Sequence, residues 1–146
     1  MSMDISDHER SQLAQQFIDA LPQGKALALK ILRVSRGEVD MEMPYDEKLV
    51  GDPGTGVIHG GAVSTLMDTC CGAAVMAHPK SGHATATIGL RLDYMRPARP
   101  GQAIVARATC HRITRSVAFV RAEAFDDDAD APVATATGTF TVETPS

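Results

Sequence analysis

Apolar and polar positions recur along this chain with two different periods, and the switches between them mark out its elements. Leu13, Phe17 and Leu21 return every fourth residue and are followed by Pro22 and Gly24. That pattern predicts a short amphipathic helix over about 5–21 with a stop signal behind it. KALALKILRVSRGEVDMEMP holds two strand-like runs about Ser35–Gly37, with alternation clearest at Val39, Met41 and Met43. YDEKLVGDPGTGV contains Gly51, Pro53, Gly54 and Gly56 and reads as loop. From about 60 to 77 there is no proline, and Val63, Leu66, Met67, Cys70, Ala74 and Val75 make the segment apolar over most of its circumference. A helix of that kind is buried.

HPKSGH (78–83) reads as a loop, and four strand-like runs follow: ATATIGLRLDYM, QAIVARATCHRI, SVAFVRAEAF and VATATGTFTV. RPARPG, Thr114–Arg115 and DDDADAP separate them. Close strands joined by short turns imply an antiparallel sheet. The expected fold class is therefore α+β, one sheet wrapped around a long central helix, with no repeats or linkers. A single domain over residues 1–146 with its core at about 25–143 is the simplest organisation.

Composition narrows the picture. With 44% hydrophobic residues the chain can build a core, but aromatic residues are only 4% and there is no Trp, so small and β-branched side chains must fill it. The net charge of −4 and the lack of a long basic run argue against a nucleic-acid partner. No segment reaches the roughly 20 apolar residues that span a bilayer. The polar, acidic start MSMDISDHERSQ is unlike a secretory signal. Three cysteines, two of them adjacent at Cys70 and Cys71, do not form a disulfide framework, and reduced thiols in a cytoplasmic protein are expected.

HGGAVSTLMD (59–68) is where chemistry enters. Asp68 lies too far into the predicted helix to cap it. On a helical wheel Gly61, Ser64, Asp68 and Gly72 share one small, polar stripe that could line a slot. The alternative is a structural carboxylate hydrogen-bonded to Ser64, Thr65 or a neighbouring strand. Glycines at a helix start let a substrate approach the backbone, and the unpaired N–H groups there suit a developing oxyanion. Alone, Gly60–Gly61 is equally a packing or turn device, and His59 a positioning histidine. Together, oxyanion donors and a carboxylate on one helix are the parts needed to add water to an acyl carbon.

HGG, six residues and Asp, followed some 26 residues later by YMRPA, resembles the hotdog-fold acyl-CoA thioesterases of the phenylacetate-pathway (PaaI-like) type over roughly residues 40–143. The resemblance implies a central helix wrapped by a curved antiparallel sheet. It implies that the Gly60 N–H sits in the oxyanion hole, that His59 orients the helix start or the thioester, and that Asp68 is general base or nucleophile. Thr87 falls where relatives have a Ser or Thr that places water. Gly61, Gly89, Tyr94, and the next turn with Arg112, Arg115, Ser116 and Val117, fall at coenzyme A contacts. The substrate expected is acyl-CoA, with no separate cofactor and no metal. A homodimer with shared sites, paired into a tetramer, is the implied assembly. One departure stands out: where some relatives carry an Asn or Gln about six residues before the histidine, this chain has Pro53 after Asp52.

The other candidates are plainer. Asp126, Asp128 and Asp130 imitate a calcium loop, but Ala131 and Thr137 replace its Gly and closing Glu, so a solvated hairpin turn is expected. Cys70, Cys71, His78 and His83 lack zinc spacing. Cys71 has no identifiable base. The rival functions are a hotdog dehydratase or hydratase, whose histidine motifs are missing, and a non-catalytic acyl-CoA-binding module.

Overall fold

The structure, a computed structural model, describes residues 6–82 and 84–143. Helix α1 (Asp7–Ala20) starts at a capping box: the Glu9 N–H donates to the Ser6 hydroxyl, and the Glu9 carboxylate accepts the Ser6 N–H. Ile5, the first residue of the predicted helix, lies outside the described residues, as does His83. Pro22 opens a second short helix, α2 (Pro22–Ala26), where the sequence pattern predicts only a stop signal.

Strands β1 (Lys30–Ser35) and β2 (Glu38–Met43) form a hairpin whose tight turn uses Gly37 at φ 74°. The predicted glycine-rich loop is instead a small ribbon, β3 (Val50–Asp52) against β4 (Val57–Ile58), entered through a 3-10 turn at Glu47–Leu49. Central helix α3 (Gly60–Met76) follows, then β5 (Thr87–Tyr94), β6 (Ile104–Ile113), β7 (Val117–Phe125) and β8 (Ala134–Thr141). The main sheet has six strands in the order β1-β2-β6-β7-β8-β5, every neighbour antiparallel.

The aromatic-poor composition sets how the layers meet. The inward positions of β6, β7 and β8 are largely alanines: Ala106, Ala108, Ala122, Ala124, Ala134 and Ala136, all buried. Such short side chains let α3 settle close to the sheet, and its own Leu66, Met67, Cys70 and Val75 fill the space with no exposed surface. The helix is not buried all round, however. Ser64, Asp68 and Gly72 stay half-buried and Gly61 is exposed, so the predicted polar stripe is the face the sheet leaves uncovered.

The N-terminal helix departs from its sequence pattern. Leu13 and Phe17 are 57% and 44% exposed, and the residue α1 buries is Ile18, at 1%. α1 packs mainly on β1. The Gln15 amide fastens it there, donating to the Leu29 carbonyl and accepting the Ile31 N–H at 2.7 Å.

Candidate active site

The β3–β4 ribbon delivers His59 to the head of α3. The His59 N–H donates to the Leu49 carbonyl, and the His59 side chain caps the helix by accepting the Gly61 N–H at Nδ1 (2.8 Å). With Nδ1 as acceptor, the neutral ring carries its proton on Nε2. Gly51 makes this packing feasible, since a Cβ there would fall 2.8 Å from the His59 Cα. Gly60 is the first helical residue, and its N–H has no partner among the described residues. Its carbonyl accepts the Tyr94 hydroxyl at 2.8 Å, and the Tyr94 ring lies against its open face. His59 thus caps the helix start, the Gly60 N–H is unengaged among the described residues, and the Gly61 N–H is already engaged.

Asp68 stands on the uncovered stripe. Its Oδ1 accepts the Thr87 hydroxyl at 2.7 Å, while Oδ2 has no hydrogen bond among the described residues. Ser64 and Thr65, the other partners considered for it, both donate instead to the Gly61 carbonyl at 2.9 Å. A bulge brings Thr87 to the carboxylate. Thr87 pairs with Phe140 and Gly89 with Thr139, so Ile88 is the extra residue on β5. Beyond it Leu90, Leu92 and Tyr94 face the helix, and regular alternation would point Ile88 inward and Thr87 away. That slip of parity between Thr87 and Leu90 is the one sign of the bulge in the sequence.

Asp68 and Thr87 share the wall of a cleft of about 410 Å³ that extends along α3 past Gly72 to Met76. A second recess of about 350 Å³ lies at the other end of the same stripe, against His59, Gly61 and Lys48. Thr65 borders both. From Gly60 to Asp68 is eight residues, about 12 Å of helix at 1.5 Å per residue. The free N–H and the carboxylate of one chain therefore do not meet on a single carbonyl group.

The thiols stay out of this chemistry. Burial, and secondarily the nearby Asp68 charge, push the Cys71 thiol up to about 12, so it is no nucleophile near neutrality. The Cys70 thiol, also raised by burial, donates to the Val39 carbonyl at 3.3 Å. Among the described residues no three His, Cys, Asp or Glu side chains are grouped to hold a metal ion, and no helix is long and apolar enough to cross a membrane.

The expected coenzyme A contacts are scattered. Tyr94 faces the helix and holds Gly60, whereas Gly89 pairs with Thr139 on the opposite face of the sheet. Arg112, Arg115 and Ser116 are exposed around the β6–β7 turn, and Val117 is half-buried where it begins β7. The order of strands in the sequence suggests that this turn lies beside the strand carrying Thr87. It is one strand removed, because β8 lies between β7 and β5. Pro53 is exposed in a turn that Asp52 builds, with its carboxylate accepting from the Gly54 N–H and the Thr55 hydroxyl.

The acidic run corrects another expectation. Asp126 is no part of a solvated turn: its side chain has no exposed surface. Both its oxygens accept from the Arg96 guanidinium, at 2.7 and 2.6 Å, and it also accepts the N–H groups of Arg99 and Asp128. Arg96 belongs to YMRPA, so that motif carries a structural staple beside the tyrosine that positions α3. Sequence reasoning missed it because the partners are 30 residues apart.

Known proteins share this fold. The family model of the thioesterase superfamily matches residues 55–132, a span that runs from the turn before His59 to the end of the acidic loop. The chain belongs to the thioesterase superfamily. A Halobacterium salinarum protein that carries a provisional esterase name is 37% identical over 142 residues, 92% of this chain and 93% of that one. The medium/long-chain acyl-CoA thioesterase YigI of Salmonella typhimurium is 26% identical over 89% of this chain and 91% of its own. Among solved structures, a mutant of the phenylacetic acid degradation protein PaaI from Thermus thermophilus superposes with a TM-score of 0.73 at 28% identity, covering 84% of this chain and all of that one. The six-stranded antiparallel sheet around α3 is the hotdog fold of this superfamily, and the chain is a PaaI-like thioester hydrolase.

Proposed function

We propose that this thioesterase hydrolyses acyl-CoA at a site shared by two copies of the chain. The observation that carries the reading is the separation of its two halves: an unengaged N–H at Gly60 and a carboxylate with a free oxygen at Asp68, about 12 Å apart on one helix. Two α3 helices packed antiparallel would bring the Gly60 N–H of each copy opposite Asp68 of the other. The surface suits this. The sheet ends at β5, whose outer edge has no partner strand among the described residues, and Ile88, Tyr94 and Met95 are 58%, 53% and 59% exposed along it.

In the shared site the thioester oxygen accepts the Gly60 N–H, which stabilises the charge that develops on it. Asp68 Oδ2 either takes a proton from water as the water oxygen bonds to the carbonyl carbon, or bonds to that carbon itself. In the first route the tetrahedral adduct collapses by breaking the C–S bond, and the departing thiolate of coenzyme A is protonated. In the second, thiolate leaves first and water then cleaves the mixed anhydride. Thr87 holds the other oxygen in place for either. The substrate class is supported by the name of YigI. Arg112 and Arg115, exposed and without ion-pair partners among the described residues, are assigned to the phosphates of coenzyme A. Buried, unpaired cysteines suit the reducing cytoplasm, where we place the enzyme.

Subunit mixing tests the shared site. Gly60→Pro removes the one N–H at issue while keeping a residue favoured at the first helical position, and His59 at ψ 135° already has the backbone a following proline requires. Asp68→Asn and Gly60→Pro are each expected to be inactive and folded. Unfolded and refolded together, they form about half mixed dimers with one intact site each, so about a quarter of wild-type activity returns. A mixture as inactive as its components, with exchange proven by tagged subunits, places each site within one chain and refutes the reading.

A further inference from the structure

The cleft that begins at Asp68 does not stop there. It continues along α3 from Asp68 past Gly72 and Ala73 to Met76, about 12 Å of helix, with Phe17 and Leu21 of α1 forming the other side. Apart from Thr87, whose hydroxyl serves Asp68, its threonines are apolar in effect, because their hydroxyls are turned to the backbone. Thr65 donates to the Gly61 carbonyl, Thr69 to the Thr65 carbonyl and Thr85 to the Thr141 carbonyl, which leaves methyl groups for the wall. The carboxylate of Asp68 is therefore the charged group at one end of a trough whose walls are apolar apart from the exposed Gln23 amide.

Two residues along that trough are unexplained by folding. Phe17 is an aromatic ring 44% exposed on a helix that buries Ile18 instead, and it leans over the cleft. The Gln15 amide holds α1 to β1, so the helix stands as a wall and does not collapse onto α3. Gly72 is the other. A Cβ there would come no nearer than 3.8 Å to Phe140 or Thr85, so packing does not demand a glycine, though glycine is unfavourable inside a helix. What its missing side chain leaves open is the floor of the cleft, one turn beyond Asp68.

We propose that the α1–α3 cleft receives the acyl chain of the substrate, that it fits straight chains of medium length, and that Gly72 and Phe17 set the length accepted. The inference rests on the thioesterase reading above for the position of the reacting carbonyl. A chain whose carbonyl is held at Asp68 enters the trough directly, covers the Phe17 ring, and meets Met76 at the far end. An extended chain follows the trough's length along α3, and the occupant has to be apolar because the threonine hydroxyls are already committed.

The test measures kcat/KM on a series from acetyl-CoA to palmitoyl-CoA for the wild type, Gly72→Leu and Phe17→Ala, by release of the coenzyme A thiol. It adds calorimetric binding of S-octyl-CoA, a thioether that cannot be hydrolysed, against coenzyme A alone. In the wild type each added methylene raises kcat/KM about fourfold until the cleft is full. Gly72→Leu lowers the ratio of octanoyl-CoA to acetyl-CoA activity at least about tenfold, and lowers the preference for S-octyl-CoA over coenzyme A with it. Phe17→Ala shifts the optimum to longer chains. Should Gly72→Leu fail to fold, Gly72→Ala, whose methyl has room, still narrows the floor and lowers the same ratio.

A wild type that hydrolyses acyl-CoA with no dependence on chain length, or variants that leave the profile unmoved, overturn the cleft assignment while hydrolysis stands. A wild type that hydrolyses nothing but prefers S-octyl-CoA in a Gly72-dependent way overturns the thioesterase reading and keeps the cleft.

Discussion

Two aspartates in this chain show opposite uses of the same side chain. Asp126 is sealed from solvent and saturated: Arg96 grips both oxygens and two backbone N–H groups add to it. Asp68 is half-buried, holds one hydroxyl, and keeps an oxygen free over a cleft. A carboxylate whose hydrogen-bonding capacity is filled can only hold the structure together. One left partly unfilled at a surface with room for a substrate can still take a proton or form a bond. The difference lies in the neighbours and not in the residue, so a run of acidic letters such as DDDADA says little about function until its partners are known.

The contrast is sharpest where the two carboxylates are removed in turn. Asp68→Asn is near-isosteric and takes away the proposed base or nucleophile, so kcat should fall at least about a hundredfold with the melting temperature unchanged. Near-normal turnover in the folded variant would end the mechanism. Asp126→Ala should do the reverse. It strands Arg96, which stays one-quarter exposed and can be partly hydrated, and Tm should drop by on the order of 10 °C, while kcat per folded molecule is preserved below the transition. A drop in kcat with no loss of Tm would mean that the staple serves the chemistry.

Acid titration probes the saturated aspartate directly. The Arg96 guanidinium, above all, together with the Arg99 and Asp128 N–H groups, holds the Asp126 carboxyl far below the usual carboxylate range. A carboxyl depressed in the folded state contributes stability that is complete above its unfolded value, near 4, and is lost as pH falls toward the folded value. Stability should therefore decline below about pH 4, and the decline should be shallower in Asp126→Ala. Equal slopes in wild type and variant would remove Asp126 from the account.

The smallest effect expected is that of Thr87→Val, which deletes the one hydroxyl on Asp68 and should cost about tenfold in kcat. Thr87→Ser restores the donor and should recover most of the rate. If Ser and Val behave alike, Thr87 acts by packing and does not position the carboxylate.

What the sequence made legible follows from range. The order of elements, the long α3 and the HGG…Asp unit rest on local period and spacing, and the structure has them where the pattern placed them. Period four in α1 shows that a helix forms but not which side finds a partner, so the pattern assigns to Leu13 and Phe17 the buried role that Ile18 holds. The β3–β4 ribbon escaped because strands of three and two residues carry no periodicity. The Arg96–Asp126 staple is a long-range pairing with no local trace, and the coenzyme A residues, carried over by resemblance, fall on both faces of the sheet.

The strand order has a consequence in time as well as in space. Among the described residues β5, which carries Thr87 and Tyr94, pairs in the sheet only with β8, the strand farthest along the chain. During synthesis α3 emerges long before that strand, with Asp68 and Gly60 already in hand but nothing to hold either. Only when β8 slides in beside β7 can β5 dock, its bulge turn Thr87 toward Asp68, and Tyr94 latch the head of α3. A chain interrupted before Ala134 would carry the whole HGG…Asp motif and still lack the strand against which β5 sets Thr87 on Asp68 and Tyr94 on Gly60.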